Sequence, residues 1–305
     1  MYQQIINFIY RHPKSALRKI IRFGGFISYF NLVRCRRLMR NAASGLSPVR
    51  SFPDGLPVYF LTGRDYLYQT LFCIQSLVKA SQTKFKFILI DDGTFNPEII
   101  GTINKLVLGA EVVTKSIIEN NLQQLLPAHS YPVLNYKRKV YPHLKKLTDI
   151  HSLEGPPWKL VLDSDMLFLK EPKALINWLE RPDQPVYMLD SSESYGYSRK
   201  LMQYLCGMKT PELLNVGAIG LKSACINWSL LETWIKTLEE KEGGSYYLEQ
   251  ALTAMLVGDK PATILNADDY KVNPLTFPGK ENEVLHHYVD LSKALYFKKA
   301  WRTIC

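Results

Sequence analysis

Two aspartates one residue apart, Asp163 and Asp165, follow the apolar run Trp158-Lys-Leu-Val-Leu162 and precede Met166-Leu-Phe-Leu169. The first run reads as a buried strand. In an extended chain the side chains at i and i+2 point the same way, so both carboxylates converge on one point at the strand's end. Two like charges held that close repel unless a cation sits between them. Oxygen ligands suit Mg2+ or Mn2+, which are often held by one or two carboxylates together with substrate phosphates. A ligand-free surface pair has the same local sequence. The buried strand before it, and the polar groups expected on the same rim, favour the metal.

The elements that must position this pair alternate between strand and helix. Short apolar runs at Pro57–Leu61, Lys84–Asp91, Ala110–Val113, Trp158–Leu162, Pro185–Asp190 and Gly217–Leu221 read as strands. Helical spacing covers Tyr66–Ala80, Pro97–Leu108, about Asn135–Ile150 with Pro142 as a kink or break, Trp228–Glu240 and Tyr246–Leu256. Such alternation predicts an α/β fold with a mostly parallel sheet, and ligands of such sheets bind beyond the strands' carboxyl ends. Thr62-Gly63, Asp91-Asp92 and Asp163-Ser164-Asp165 then share one rim.

The 305 residues, 47% hydrophobic and 22% charged, exclude collagen-like, low-complexity and wholly disordered chains. Five cysteines without a CxxC pair argue against a disulfide framework or a cysteine-built zinc site, and fit a reducing compartment such as the cytoplasm. The net charge of +10 is concentrated. Residues 1–50 hold ten cations and the first acid is Asp54, while the other 28 cations are matched by 28 acids. Among these cations stand Ile5, Phe8, Ile20, Phe23, Phe26, Ile27 and Phe30. The run from Ile20 to Val33 contains Arg22 and two glycines and is too short to span a bilayer. The segment reads either as a basic amphipathic helix lying on an anionic membrane or as a helical appendage docked on the body with a solvated basic rim. Nucleic acid is a poor partner, since the body offers no basic stripe. Ala42 to Pro57 reads as a linker, so residues 1–50 and 51–305 form two units.

Leu162-Asp163-Ser164-Asp165 resembles the DxD motif of nucleotide-sugar glycosyltransferases with the GT-A fold. Further matches follow in order. Tyr136-Lys-Arg138 is similar to the YxR on the helix before the DxD strand, and Asn215-Val-Gly217 to the N-x-G after it. Glu249-Gln250 resembles the acidic-Gln pair on the next helix. His287-Tyr-Val-Asp-Leu-Ser-Lys293 resembles the C-terminal motif of the glycogenin-like family 8 enzymes. Three departures stand out: Asp290 replaces a Gly, no Pro-Trp follows Lys293, and Glu249 replaces an Asp.

The resemblance implies an enzyme that moves a sugar, a hexose, from a UDP-sugar to an acceptor hydroxyl with Mn2+ or Mg2+. It implies His287 as the third metal ligand, with adjacent His286 as competitor, and Lys293 as the cation that meets the departing diphosphate. Arg138 is expected to pair with phosphate or with Asp92. Thr62, Gly63 and Asp91 are expected against the nucleobase or ribose, and Ser164 beside the donor, although Asp91 could equally cap the next segment. Asn215 and Gly217 would floor the sugar or acceptor pocket, Gly allowing close backbone approach. If the reaction inverts, Glu249 or Asp190 is the expected base; if it retains, Gln250 lies near the reacting face. His143 and His151 have no motif support. The competing class is a non-catalytic membrane- or polyanion-binding protein on an inactive sugar-nucleotide scaffold. The intact DxD, N-x-G and His287 argue against it.

Overall fold

A computed structural model describes residue 17, residues 20–277 and residues 280–304. Much of the basic N-terminal segment therefore lies outside the described residues. Residues 20–22 are helical, and after a turn at Phe23-Gly24 comes a long helix, α1 (Gly25–Ala42). The central βα units follow: β1 (Leu56–Thr62), α2 (Leu67–Ala80), β2 (Phe85–Asp91), α3 (Pro97–Leu106) and β3 (Glu111–Val113). Asn96 caps α3 by accepting the Ile99 N–H at 2.8 Å, with Pro97 at the first helical position.

The helix expected near Asn135–Ile150 is two helices. After α4 (Lys115–Leu125), α5 (Pro132–Val140) ends before Pro142 and α6 (Lys145–His151) starts beyond it. Proline removes one backbone donor and clashes with the preceding turn, so the chain turns there. Next come β4 (Trp158–Leu162), β5 (Met166–Phe168), α7 (Lys173–Glu180), β6 (Val186–Leu189), α8 (Arg199–Cys206), β7 (Leu214–Lys222), α9 (Trp228–Glu242) and α10 (Leu248–Val257). The chain closes with β8 (Thr263–Ile264), β9 (Tyr270–Val272), β10 (Leu285–His287) and α11 (Lys293–Lys298).

The main sheet runs β8-β6-β7-β4-β1-β2-β3. Every pairing is parallel except those of β7, which lies antiparallel to both β4 and β6. Alternate side chains feed two apolar layers. Val58, Phe60, Phe87, Leu89, Leu160 and Leu162 face one layer, and Tyr59, Ile88, Ile90 and Val161 face the other. A small second sheet, β9-β10-β5, packs beside the end of β4. Its register sets His287 opposite Met166, the residue after the aspartate pair.

Helix α1 is part of the first layer. Leu32, Cys35 and Met39, one stripe at helical spacing, are buried in the same core as β1 and β2. Burying a large apolar side chain of that kind contributes about 1.5–3 kcal/mol. Arg36 anchors the helix further, donating to the Tyr68 hydroxyl at 2.8 Å. The stretch expected as a linker is also packed, with Leu46, Val49 and Ser51 buried. Cys35, Cys73, Cys206 and Cys225 are free thiols. Among the described residues no helix is long and apolar enough to cross a membrane.

Candidate metal and nucleotide-sugar site

The end of β4 is tied down by the Asp163 N–H, which donates to the Gly217 carbonyl at 2.7 Å. The Tyr288 N–H donates to the Asp165 carbonyl at 2.9 Å and brings the end of β10 alongside. Ligand atoms of Asp163, Asp165 and His287 thereby lie within 4.8 Å of one another. His287 Nε2 is 3.2 Å from Asp165 Oδ1 and 3.6 Å from Asp163 Oδ2. Ser164 stands between the two aspartates, half-buried.

The network behind the imidazole decides which nitrogen faces the carboxylates. Asn215 Oδ1 accepts the Gly217 N–H at 2.9 Å, so that atom is the oxygen. The same oxygen lies 3.1 Å from His287 Nδ1, which must therefore carry a proton and donate. Nε2 is left pointing at the aspartates. It is buried and makes no hydrogen bond. A lone pair converging with two carboxylates is repulsive unless a cation lies between them, and one nitrogen with two carboxylate oxygens is a donor set for Mn2+ or Mg2+. The residues present thus fit a divalent ion.

Gly217 makes this arrangement possible. A Cβ there would lie 2.3 Å from His287 Cε1 and 2.4 Å from Nδ1. The close approach expected at Gly217 is real, but the group that approaches is the histidine and not a sugar. Asn215 likewise supports the metal set: besides holding His287 it donates to Asp190 Oδ2 at 3.0 Å. Partners that fix a ligating histidine typically contribute 10–100-fold in metal affinity. Asn215→Ala should therefore weaken Mn2+ binding by about that factor with little change in nucleotide affinity in EDTA; an unchanged Mn2+ isotherm would remove Asn215 from this role.

His286 points the other way, as alternation along β10 requires. It is buried, with Nε2 2.6 Å from Glu283 and Nδ1 3.0 Å from the Tyr288 hydroxyl. Lys293, at the start of α11, reaches Asp165 as an ion pair. Burial alone would raise the Asp165 carboxyl, but Lys293 and His287 together outweigh it and hold the group well below the usual carboxylate range.

A second cation escaped the sequence reading. Lys146, on α6, is buried with its Nζ 2.6 Å from Asp163 Oδ1 and 3.8 Å from Glu249 Oε2. Burial opposes its charge, yet Asp163 and Glu249 hold its pKa above the ordinary lysine value. The cation expected here was Arg138, and its position corrects that expectation. Arg138 is committed to Asp149 by a bidentate pair at 2.5 and 2.8 Å, and to Glu119 at 2.9 Å. It ties α5 to α6 and α4, and offers phosphate no free fork.

Other expected contacts are also redirected. Asp91 Oδ1 accepts the N–H groups of Gly93 and Phe95 at 2.7 and 2.9 Å, so this buried carboxylate caps its own loop. The neighbouring Asp92 is the aspartate that lies over Gly63, where a Cβ would come 2.1 Å from its Oδ1. Thr62 spends its hydroxyl on Thr70 at 2.8 Å and its carbonyl on the Asp92 N–H at 2.9 Å. Asp190 is no free base: Asn215 and Gln250 donate to Oδ2 at 3.0 and 3.1 Å, and the Ser191 N–H to Oδ1 at 2.7 Å. Its role is to orient those two amides.

Glu249 stands at the head of α10, buried, its N–H donating to the Tyr141 hydroxyl at 3.3 Å. Burial pushes its carboxyl up to about 7, Lys146 opposes the shift and Asp163 adds to it. Tyr141 also donates to the Tyr246 carbonyl at 2.5 Å. The His143 ring lies between Tyr141 and Tyr246, centroids 5.3 and 5.1 Å away, and forms an aromatic rim beside α10. His151 is buried against Ser223, 2.9 Å away, and is structural.

Three solved structures share this arrangement of elements. Mouse xyloside xylosyltransferase 1, in its apo form, is 12% identical over 79% of this chain and 98% of its own, with a TM-score of 0.52. Galactosyltransferase LgtC, in complex with donor and acceptor sugar analogs, is 14% identical over 81% of this chain and 95% of its own, also at 0.52. The fold is GT-A. The WbbM bifunctional glycosyltransferase, an apo structure, is 12% identical over 85% of this chain and 52% of its own, at 0.50. No family model matches the sequence, and no curated protein is similar to it in sequence. In this GT-A domain the aspartate pair stands at the carboxyl end of a central strand, where open α/β sheets place their ligands.

Proposed function

We propose that the chain is a metal-dependent glycosyltransferase that moves a sugar from a UDP-sugar to an acceptor hydroxyl at an anionic membrane surface. The observation that carries this reading is the buried His287 Nε2, without a hydrogen bond, converging with Asp163 and Asp165. The similar structures bear names of glycosyl transfer, a xylosyltransferase and a galactosyltransferase, which supports the same reaction class here. UDP as the nucleotide rests on the motif resemblance.

Asp163, Asp165 and His287 would hold Mn2+ or Mg2+. Such an ion, when bound, stabilises the charge that develops on a departing diphosphate. The chain supplies the rest. Asn215 and Gly217 fix the imidazole. Lys293, the more exposed of the two lysines on these carboxylates, is the cation for the phosphates, while buried Lys146 holds Asp163 and Glu249 in place. Glu249 is the remaining candidate to accept the acceptor hydroxyl's proton, since a carboxyl near 7 is matched to neutral pH. Gln250, bonded to Asp190, borders the same space.

The test is a panel of UDP- and GDP-sugars with Mn2+, read by hydrolysis and by thermal shift. A nucleotide at 100 times its Kd should stabilise the protein by about 2.7 kcal/mol. His287→Ala should abolish the Mn2+-dependent part of the UDP shift. His286→Ala should lower the melting temperature, through the lost bond to Glu283, and keep that Mn2+ dependence. A protein that responds to no nucleotide with any divalent ion is not a transferase of this kind.

A further inference from the structure

Helix α1 shows two unlike faces. Its inner cations serve the fold: Arg36 bonds Tyr68 and lies over the Phe297 ring, and Arg40 lies over Tyr68 and pairs with Asp65. Its outer face carries Phe26, Ile27 and Phe30, which are 70, 89 and 73% exposed, followed by exposed Val33, Arg34, Arg37 and Leu38. On a 3.6-residue period Phe26, Ile27, Phe30, Arg34 and Arg37 lie opposite the buried stripe Leu32, Cys35 and Met39. A face with three nearly bare large apolar residues is not explained by the core. Among the described residues neither Arg34 nor Arg37 meets a carboxylate, and no acid precedes Asp54 in the chain.

The C-terminal segment packs beside α1. Arg22 forms an ion pair with Asp290, which sits in the left-handed region at φ 47°. Next to it a shallow apolar groove of about 280 Å³ is lined by Leu275, Leu291, Leu295, Lys298 and Lys299 among others. Leu275 is 87% exposed. Apolar groups again stand beside lysines. The same segment begins α11 with Lys293, the cation on Asp165.

We infer that the outer face of α1, with the Leu275–Leu291 rim, docks on an anionic lipid bilayer, the apolar residues entering the headgroup region and the arginines and lysines meeting its negative charge. This rests on the proposed function for the surface, not for the chemistry. Charge selects the occupant. A face of Phe and Ile flanked by free cations is what an interfacial helix presents to acidic lipids. A second copy of the chain would set these cations against themselves. Because Lys293 lies two residues from Leu291, docking sets the metal site close to the lipid headgroups, where a membrane-borne acceptor hydroxyl is presented.

The test is sedimentation of the full chain with vesicles of phosphatidylcholine alone and with 30% phosphatidylglycerol, taken about as a common anionic composition. The wild type should pellet with the anionic vesicles and be released by salt, which screens such attraction within about 8 Å at physiological strength. Arg34→Gln with Arg37→Gln should weaken partition by an order of magnitude or more, at about fivefold per cation. Phe26→Ser, Ile27→Ser and Phe30→Ser together should abolish it, whereas Tyr204→Ser, an exposed aromatic on α8, should not. If the triple variant fails to fold, Ile27→Glu alone carries the test, since that side chain is 89% exposed. UDP-induced thermal shifts should persist in all of these variants, which separates failure of docking from failure of the transferase reading. Equal pelleting with both vesicle types, equal pelleting of wild type and apolar variants, or a dimer that only the triple variant loses would overturn the inference.

Discussion

Asp165→Asn should abolish transfer and leave the fold intact. The side chain stands at a strand end, and the amide keeps its size while removing the charge that faces His287 Nε2. A metal ion contributes several kcal/mol of charge stabilisation, and each 1.36 kcal/mol is tenfold in rate, so a loss of about a thousandfold or more is expected. Without metal the melting temperature should fall modestly, because the half-exposed Lys293 loses its ion pair, whereas Mn2+ should no longer raise the melting temperature. The matching loss in Asp163→Asn should be accompanied by lower stability, because Lys146 is buried against that carboxylate and would lose its 2.6 Å partner. Near-normal turnover of Asp165→Asn in Mn2+ would mean that the metal site is elsewhere.

Arg138→Met should act in the opposite way, on stability and not on the nucleotide. Asp149 is fully buried and receives the bidentate fork of Arg138. Removing one partner of a buried pair leaves an uncompensated charge and costs about 3–5 kcal/mol. In a chain of this size that lowers the melting temperature by about 10 °C. Among molecules that remain folded, the UDP affinity should equal that of the wild type. An unchanged melting temperature with lost UDP binding would return Arg138 to the phosphate.

The contrast between Arg138 and Lys146 shows where sequence reading reaches its end. Both are cations on helices before the aspartate strand, and a lysine on a helix reads as solvated. Only the break at Pro142, which splits the helix into α5 and α6, determines that Arg138 turns to Asp149 and Lys146 turns inward to Asp163. The aspartate pair was legible because its geometry is local: i and i+2 in an extended chain share a face whatever surrounds them. His287 came from the motif resemblance. Its physical basis, the antiparallel register with Met166, belongs to strands of three residues, too short for periodicity to reveal.

The main sheet was legible as well, since βα alternation carries over long segments. The direction of β7 was not: its residues are buried on both faces, and such an apolar run reads the same in either direction. Gly217 was read correctly as a point of close approach, but which group approaches depends on β10, some seventy residues later. The structure also accounts for one departure from the motif. Asp290 occupies the left-handed backbone region that a glycine would fill, and aspartate is among the few residues that tolerate it.

The central claim is that Asp163, Asp165 and His287 Nε2 bind one divalent cation. Electron spin-echo spectroscopy of the protein with one equivalent of Mn2+ and excess UDP tests it most directly, because it reads nitrogen bound to the metal without requiring turnover. The account predicts coupling to one imidazole nitrogen in the wild type and in His286→Ala, and its loss in His287→Ala. Bound Mn2+ without nitrogen coupling, or coupling that survives His287→Ala, would contradict it.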